Sequence, residues 1–170
     1  MKCPLPDNVL DAVISLNVLE HIKDDDAAVR QIYRVLKPGG VAAIEIPAGP
    51  ELYDIYDRQL MHMRRYRMSG ISRLVEKAGF RILERSHLGF FLYPGFWFVK
   101  KRNRKHLSDP PEKQREIVSR NMRLGTQTPL MHGIMRLEEK LRNCLYYPFG
   151  IRCLITCQKP KADDQPLKRK

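Results

Sequence analysis

A chain of 170 residues is long enough for one domain with a sizeable core. Its mix of 43% hydrophobic and 29% charged residues excludes a disordered polymer. Met-Lys-Cys-Pro-Leu-Pro-Asp at the start has no apolar signal core, so a cytosolic location is expected. The net charge of +12 is unevenly placed: residues 1–99 carry +1, residues 100–142 carry +7 and residues 143–170 carry +4. Such a basic part suits an anionic partner or serves as a solvated surface, and charge alone does not decide between them. The four cysteines (Cys3, Cys144, Cys153, Cys157) show no CxxC pair, so free thiols and no metal site are expected.

Leu10–Leu16 is a short apolar run, the pattern of a strand buried on both faces of a parallel sheet. Asp24, Asp25 and Asp26 then favour a helix start, and Ala28, Ile32, Val35 and Leu36 follow at helical spacing. Lys37-Pro38-Gly39-Gly40 reads as the stop and turn after that helix, with a second buried strand at Val41–Ile46. Pro47–Arg67 is a long connection. Ser69 suits the cap of a third helix, with Ile71, Leu74, Val75 and Ala78 on one face and Gly79 closing it. Phe80–Leu88 alternates as a strand. Strands separated by helices predict a parallel α/β sheet.

Residues 89–150 break the rhythm. Residues 90–98 hold six of the fourteen aromatics (Phe90, Phe91, Tyr93, Phe96, Trp97, Phe98), and Lys100, Lys101, Arg102, Arg104 and Lys105 follow at once. That apolar run is too short to span a bilayer. Three readings stand side by side: a membrane interface, a lid over an apolar pocket, or core beneath the insertion. Helices are predicted from Asp109-Pro110-Pro111 to Leu124 and from Pro129 to about Tyr146, the second with Leu130, Ile134, Leu137, Leu141 and Leu145 on one stripe. A last strand is predicted at Ile151–Gln158, followed by a basic, disordered tail at 159–170.

The run from Leu10 to His21, a short helix, and then Leu36-Lys37-Pro38-Gly39-Gly40 with a second strand resemble the second half of a class I S-adenosylmethionine-dependent methyltransferase of the small-molecule type. His62-Met63-Arg64-Arg65-Tyr66 and Ala78-Gly79-Phe80 extend the likeness to about residue 88, and 151–158 adds a final strand. The resemblance implies a partial Rossmann-like sheet with strands matching the fourth to seventh of the order 3-2-1-4-5-7-6. It also implies a helical insertion at 89–150 within a domain at 1–158. The family's glycine-rich cofactor loop has no counterpart here: no GxGxxG occurs, and the only Gly pair is Gly39-Gly40. An N-terminally truncated form with little activity alone is therefore expected.

By the same resemblance, Asn17, Val18, Leu19 and His21 would lie on the methionine side of S-adenosylmethionine, although core packing explains Leu19 equally well. His62 and Tyr66 are the acceptor-side candidates, since an acceptor hydroxyl needs a base and His titrates near neutrality. A solvated loop with one buried Tyr is the plain alternative. Asn17-Val18-Leu19-Glu20 lacks the Asn/Asp-Pro-Pro-aromatic pattern of enzymes that methylate bases. The expected acceptor is accordingly a small or lipid-like molecule, with no nucleic-acid partner. The rival function is a non-enzymatic remnant that binds a membrane or protein through the insertion.

Overall fold

The computed structural model describes residues 3–124, 129–141, 144, 145 and 147–161. The expected tail therefore lies outside the described residues beyond Lys161. Within them the chain forms two compact units: residues 1–46, 68–85 and 154–170, and residues 47–67 and 86–153.

The first unit is a sheet with two helices. Strand β1 (Leu10–Leu16) pairs in parallel with β2 (Leu36–Pro47). β3 (Arg81–Leu88) and β4 (Arg152–Gln158) complete the spatial order β1-β2-β4-β3, the last residues of β3 and the first two of β4 being counted with the second unit. That is the expected order 4-5-7-6. β4 departs from the all-parallel expectation. The start of β2 bonds the end of β4 (Gly39 N to Lys159 O, 2.7 Å; Lys159 N to Gly40 O, 2.9 Å), and Ala48 N, beyond the end of β2, donates to Ile151 O at 2.9 Å. β4 thus runs opposite to β2. The strand–helix rhythm that fixes parallel crossovers is broken by residues 89–150, so nothing local dictated the last direction.

Helix α1 (Asp25–Val35) is capped by Asp24, whose carboxylate accepts from Ala27 N at 2.8 Å. The Lys-Pro-Gly-Gly segment is not a turn between elements. β2 begins at Leu36, and the pairing slips between Leu10/Leu36 and Ala12/Val41, so these residues form a bulge within the strand. A Cβ on Gly40 would sit 2.9 Å from Lys37 O and 3.1 Å from Asp11 O, which only glycine avoids. Helix α3 (Met68–Lys77) starts before Ser69, so Ser69 is a first-turn residue and not the cap. Gly79 ends the helix at φ 102°.

Ile44, Ile46, Val29, Ile71, Val75 and Ile155 are fully buried and form the core of this unit. β1 is not buried on both faces as expected: Ile14 is 72% exposed and Leu16 is also exposed. β1 ends the sheet, and no described strand pairs with its outer edge.

The second unit is helical. The connection after β2 contains a 3₁₀ turn at Pro50–Leu52 and helix α2 (Ile55–Gln59). Helices α4 (Tyr93–Arg104), α5 (Pro111–Leu124) and α6 (Pro129–Leu141) lie between β3 and β4 in the chain. The predicted apolar stripe on α6 is not a core face. Leu137 is 52% exposed and Leu145 is exposed, while Glu138 is buried, its Oε1 accepting from Gly89 N at 2.6 Å. The side chain of Leu130 lies outside the described residues.

Candidate functional site

Two carboxylates are buried where α2 begins. Asp54 caps that helix, accepting from Tyr56 N at 3.0 Å, and Asp57 reaches back to accept from Asp54 N at 3.0 Å. This capping box fixes both side chains on one side of a single turn. Lys100 from α4 donates to Asp54 Oδ1 at 2.6 Å and to Asp57 Oδ2 at 2.8 Å. Arg65 donates to Asp57 Oδ1 at 2.9 Å and to the Ala48 carbonyl at 2.8 Å. Asn103, one helical turn after Lys100, donates to Asp54 Oδ2 at 3.2 Å. Phe96 completes the inner face of α4, with the Lys100 ammonium and the Arg65 guanidinium 5.3 and 5.6 Å from its ring centre.

Two anions meet two cations, so the cluster is charge-balanced away from water, the condition under which buried ions are tolerated. Burial pushes the Asp54 carboxyl up, against the opposing hydrogen bond and charge of Lys100. Burial acts upward on Asp57 too, but Arg65 and Lys100, with the bonds from Lys100 and His62, hold it well below the usual carboxylate range.

His62 sits at the edge of this cluster, half-buried. Its Nδ1 is 2.9 Å from Asp57 Oδ1, its amide donates to Asp57 O at 2.8 Å, and its carbonyl accepts from Tyr53 Oη at 2.8 Å. An ionised carboxylate fixing the tautomer and angle of an imidazole is an arrangement that can accept a proton from a weak acid. Tyr66 lies four residues on but is buried. Its backbone bridges Ala48, donating to Pro47 O at 2.8 Å and accepting from Gly49 N at 2.9 Å.

The residues expected on the cofactor side belong to the other unit. Asn17 turns the chain at the carboxyl end of β1 with a left-handed φ of 53°, its amide donating to Glu45 O at 2.9 Å. Val18 and His21 are exposed, whereas Leu19 is 1% exposed and packs in the core. Ligands of open α/β sheets lie beyond the carboxyl ends of strands, and this turn stands at such an end. A reachable turn at the end of β1 fits one side of S-adenosylmethionine. No glycine-rich loop in the sequence fits its carboxylate.

The sequence singled out His62 as a candidate but not the carboxylate and lysine around it. Asp54, Asp57 and Arg65 come from one segment, and Lys100 and Asn103 from another that begins 35 residues after Arg65. The one local signal was the Asp-x-x-Asp of the capping box.

Residues 1–44 match the family described as methyltransferase domain. A methyltransferase of Mycolicibacterium smegmatis, described as probably S-adenosylmethionine-dependent, is 35% identical over 83 residues, covering 48% of this chain and 32% of that protein. A sterol 24-C-methyltransferase of Gibberella zeae is 31% identical over 102 residues, covering 52% of this chain and 26% of that protein. The chain therefore spans about a third or less of the length of these relatives. Among solved structures, a SAM-dependent methyltransferase of Thermotoga maritima superposes with a TM-score of 0.55 at 18% identity, over 93% of this chain and 60% of that one. In its first 44 residues the chain is thus similar to methyltransferase domains, and its fold is similar to that of a solved SAM-dependent methyltransferase, with a strand order that matches the fourth to seventh strands expected from the sequence.

Proposed function

We propose that this chain is the acceptor-side part of an enzyme that transfers a methyl group to a small or lipid-like molecule, and that it requires a glycine-rich cofactor-binding half for activity. The observation that carries this reading is the sheet itself. Its order, β1-β2-β4-β3, leaves β1 at the edge against which the first strand of such a domain would pair. The sterol methyltransferase relative supports a lipid-like acceptor.

In this reading S-adenosylmethionine supplies the methyl group as an electrophile. The chain's own residues orient the acceptor and take up its proton. His62 is the base: the proton leaves the acceptor for Nε2 while Nδ1 stays bonded to Asp57. Asp57 is a positioning residue, kept ionised by Arg65 and Lys100. Tyr66, buried, supports the loop rather than touching the acceptor. Asn17, Val18 and His21 face the cofactor side, with Leu19 supporting them from the core.

In a polypeptide carrying the complete domain, His62→Ala should lower the turnover number by roughly 10²–10⁴-fold with cofactor affinity unchanged. Asp57→Asn should lower it less and shift the pH profile, because the tautomer is then no longer fixed. Tyr66→Phe should have a smaller effect still. Full turnover by the His62→Ala protein would show that the base lies elsewhere.

A further inference from the structure

Helix α4 is built inside out. Its inward positions are Phe96, Lys100 and Asn103, and Lys100 is only 6% exposed. Its outward positions are Pro94, Trp97, Phe98, Lys101, Arg102 and, at the C-cap, Lys105, all exposed. Phe98 is 64% exposed and Trp97 40%. A helix that buries a lysine and an asparagine while offering two large aromatics to water reverses the normal pattern. The buried half is explained by the carboxylates of α2. The exposed half has no described covering.

The chemistry of that half is specific. Lys101 Nζ lies 4.7 Å above the Trp97 ring, so cation and aromatic share one face. Arg102 and Lys105 flank the pair, and no acidic residue occurs between Phe90 and Ser108. Tryptophan and phenylalanine beside lysine and arginine match the interface of an anionic bilayer, where rings enter the headgroup layer and cations meet phosphates. No helix among the described residues is long and apolar enough to cross a membrane, so contact would be peripheral. Lys100, which looks in the sequence like part of the same basic cluster, belongs to the buried ion network and not to this face.

We infer that the outer face of α4 is a docking surface for anionic membranes, with Trp97 and Phe98 as the inserted residues and Lys101, Arg102 and Lys105 as the phosphate contacts. The face would suit an enzyme with a lipid-like acceptor, but it stands on α4 alone and survives failure of the methyl-transfer reading.

Trp97 is the only tryptophan of the chain, so its fluorescence reports the event directly. The full chain is titrated with vesicles of phosphatidylcholine alone and of phosphatidylcholine with phosphatidylglycerol, at low and high salt. The expected result is a blue shift and quenching by brominated acyl chains on anionic vesicles only, weakening at high salt. Phe98→Ser should weaken partitioning at least about tenfold, and Lys101→Glu with Arg102→Glu and Lys105→Glu roughly a hundredfold. All four side chains are exposed, so circular dichroism and melting should be unchanged. Equal partitioning on neutral vesicles, or no shift on anionic ones, would overturn the inference. So would self-association of the wild-type chain in sizing experiments that Phe98→Ser abolishes, since the face would then serve a second copy.

Discussion

The two compact units of this chain differ in what they bury beside their apolar cores, which in the helical unit include Leu52, Ile55, Val118 and Tyr147. The sheet unit fills its interior with Ile44, Ile46, Ile155, Val29 and Val75. The helical unit buries Asp54, Asp57, Arg65, Lys100, Asn103 and Glu138, and turns Phe98, Met135 and Leu137 toward water. Apolar burial is non-directional and tolerates small errors, whereas a buried ion cluster is stable only with every partner in place. The difference teaches where to look for function. The buried ion cluster and the exposed aromatics of the helical unit are where this sequence departs from what folding alone would favour.

The comparison breaks most sharply at Lys100. Lys100→Met leaves Asp54 and Asp57 buried without their shared cation and should cost about 3–5 kcal/mol, read as a loss of unfolding free energy in urea. Replacing Asp54, Asp57, Arg65 and Lys100 together by apolar residues of similar size should be much less damaging, because none of the four ions is then left behind without its partner. If Lys100→Met alone were harmless, the cluster would be ornamental.

In the sheet unit, Ile44→Ala should cost about 2–5 kcal/mol through the cavity it leaves. The four cysteines distinguish the two cases. Burial pushes the Cys153 and Cys157 thiols up to about 12, so at pH 8 both should resist alkylation until the chain opens, while exposed Cys144 reacts at once. Cys153 falls in the helical unit and Cys157 in the sheet unit. Lys100→Met should therefore release Cys153 first, and Ile44→Ala should release Cys157 first. Simultaneous labelling in both variants would mean that the two units unfold as one.

A smaller effect is expected from pH. Burial lowers the affinity of His87 for its proton, against the bond from its Nδ1 to Tyr147 O at 3.1 Å. A depressed folded value means the unfolded chain binds the proton more readily. The stability His87 contributes is thus complete above about pH 6.5 and declines as pH falls through the folded value. Asp57 follows the same sign further down: its contribution is complete above the ordinary carboxylate range and is lost only in stronger acid. His87→Gln should remove the first decline and leave the second. A profile flat from pH 7 to 5 in the wild type would contradict the assignment.

Much of the sheet was legible because its signals are local. Leu10–Leu16 and residues 151–158 read as strands from apolar runs, and Asp24 read as a helix start from its side chain. Lys37–Gly40 misled because proline and glycine also build strand bulges, and only pairing with Leu10 and Lys159 distinguishes the two. The helical unit was less legible for a different reason. An apolar stripe like that of α6 normally marks a core, the aromatic run before Lys100 fits several roles, and nothing local reveals that Lys100 and Glu138 are the buried residues. His62 was singled out as a candidate by its side-chain chemistry alone. Asp57 and Lys100, its supports, become visible only when α2 and α4 are placed together.

Cofactor binding with and without a complementary half tests the account most directly. S-adenosylmethionine is titrated calorimetrically into the monodisperse 170-residue chain, and into the same chain joined at its N-terminus to a glycine-rich cofactor-binding half. The account predicts no measurable heat from the chain alone and micromolar binding by the joined polypeptide, weakened by bulky substitutions at Asn17 or Val18. Micromolar binding by the chain alone, or none by a well-folded joined polypeptide, would contradict it.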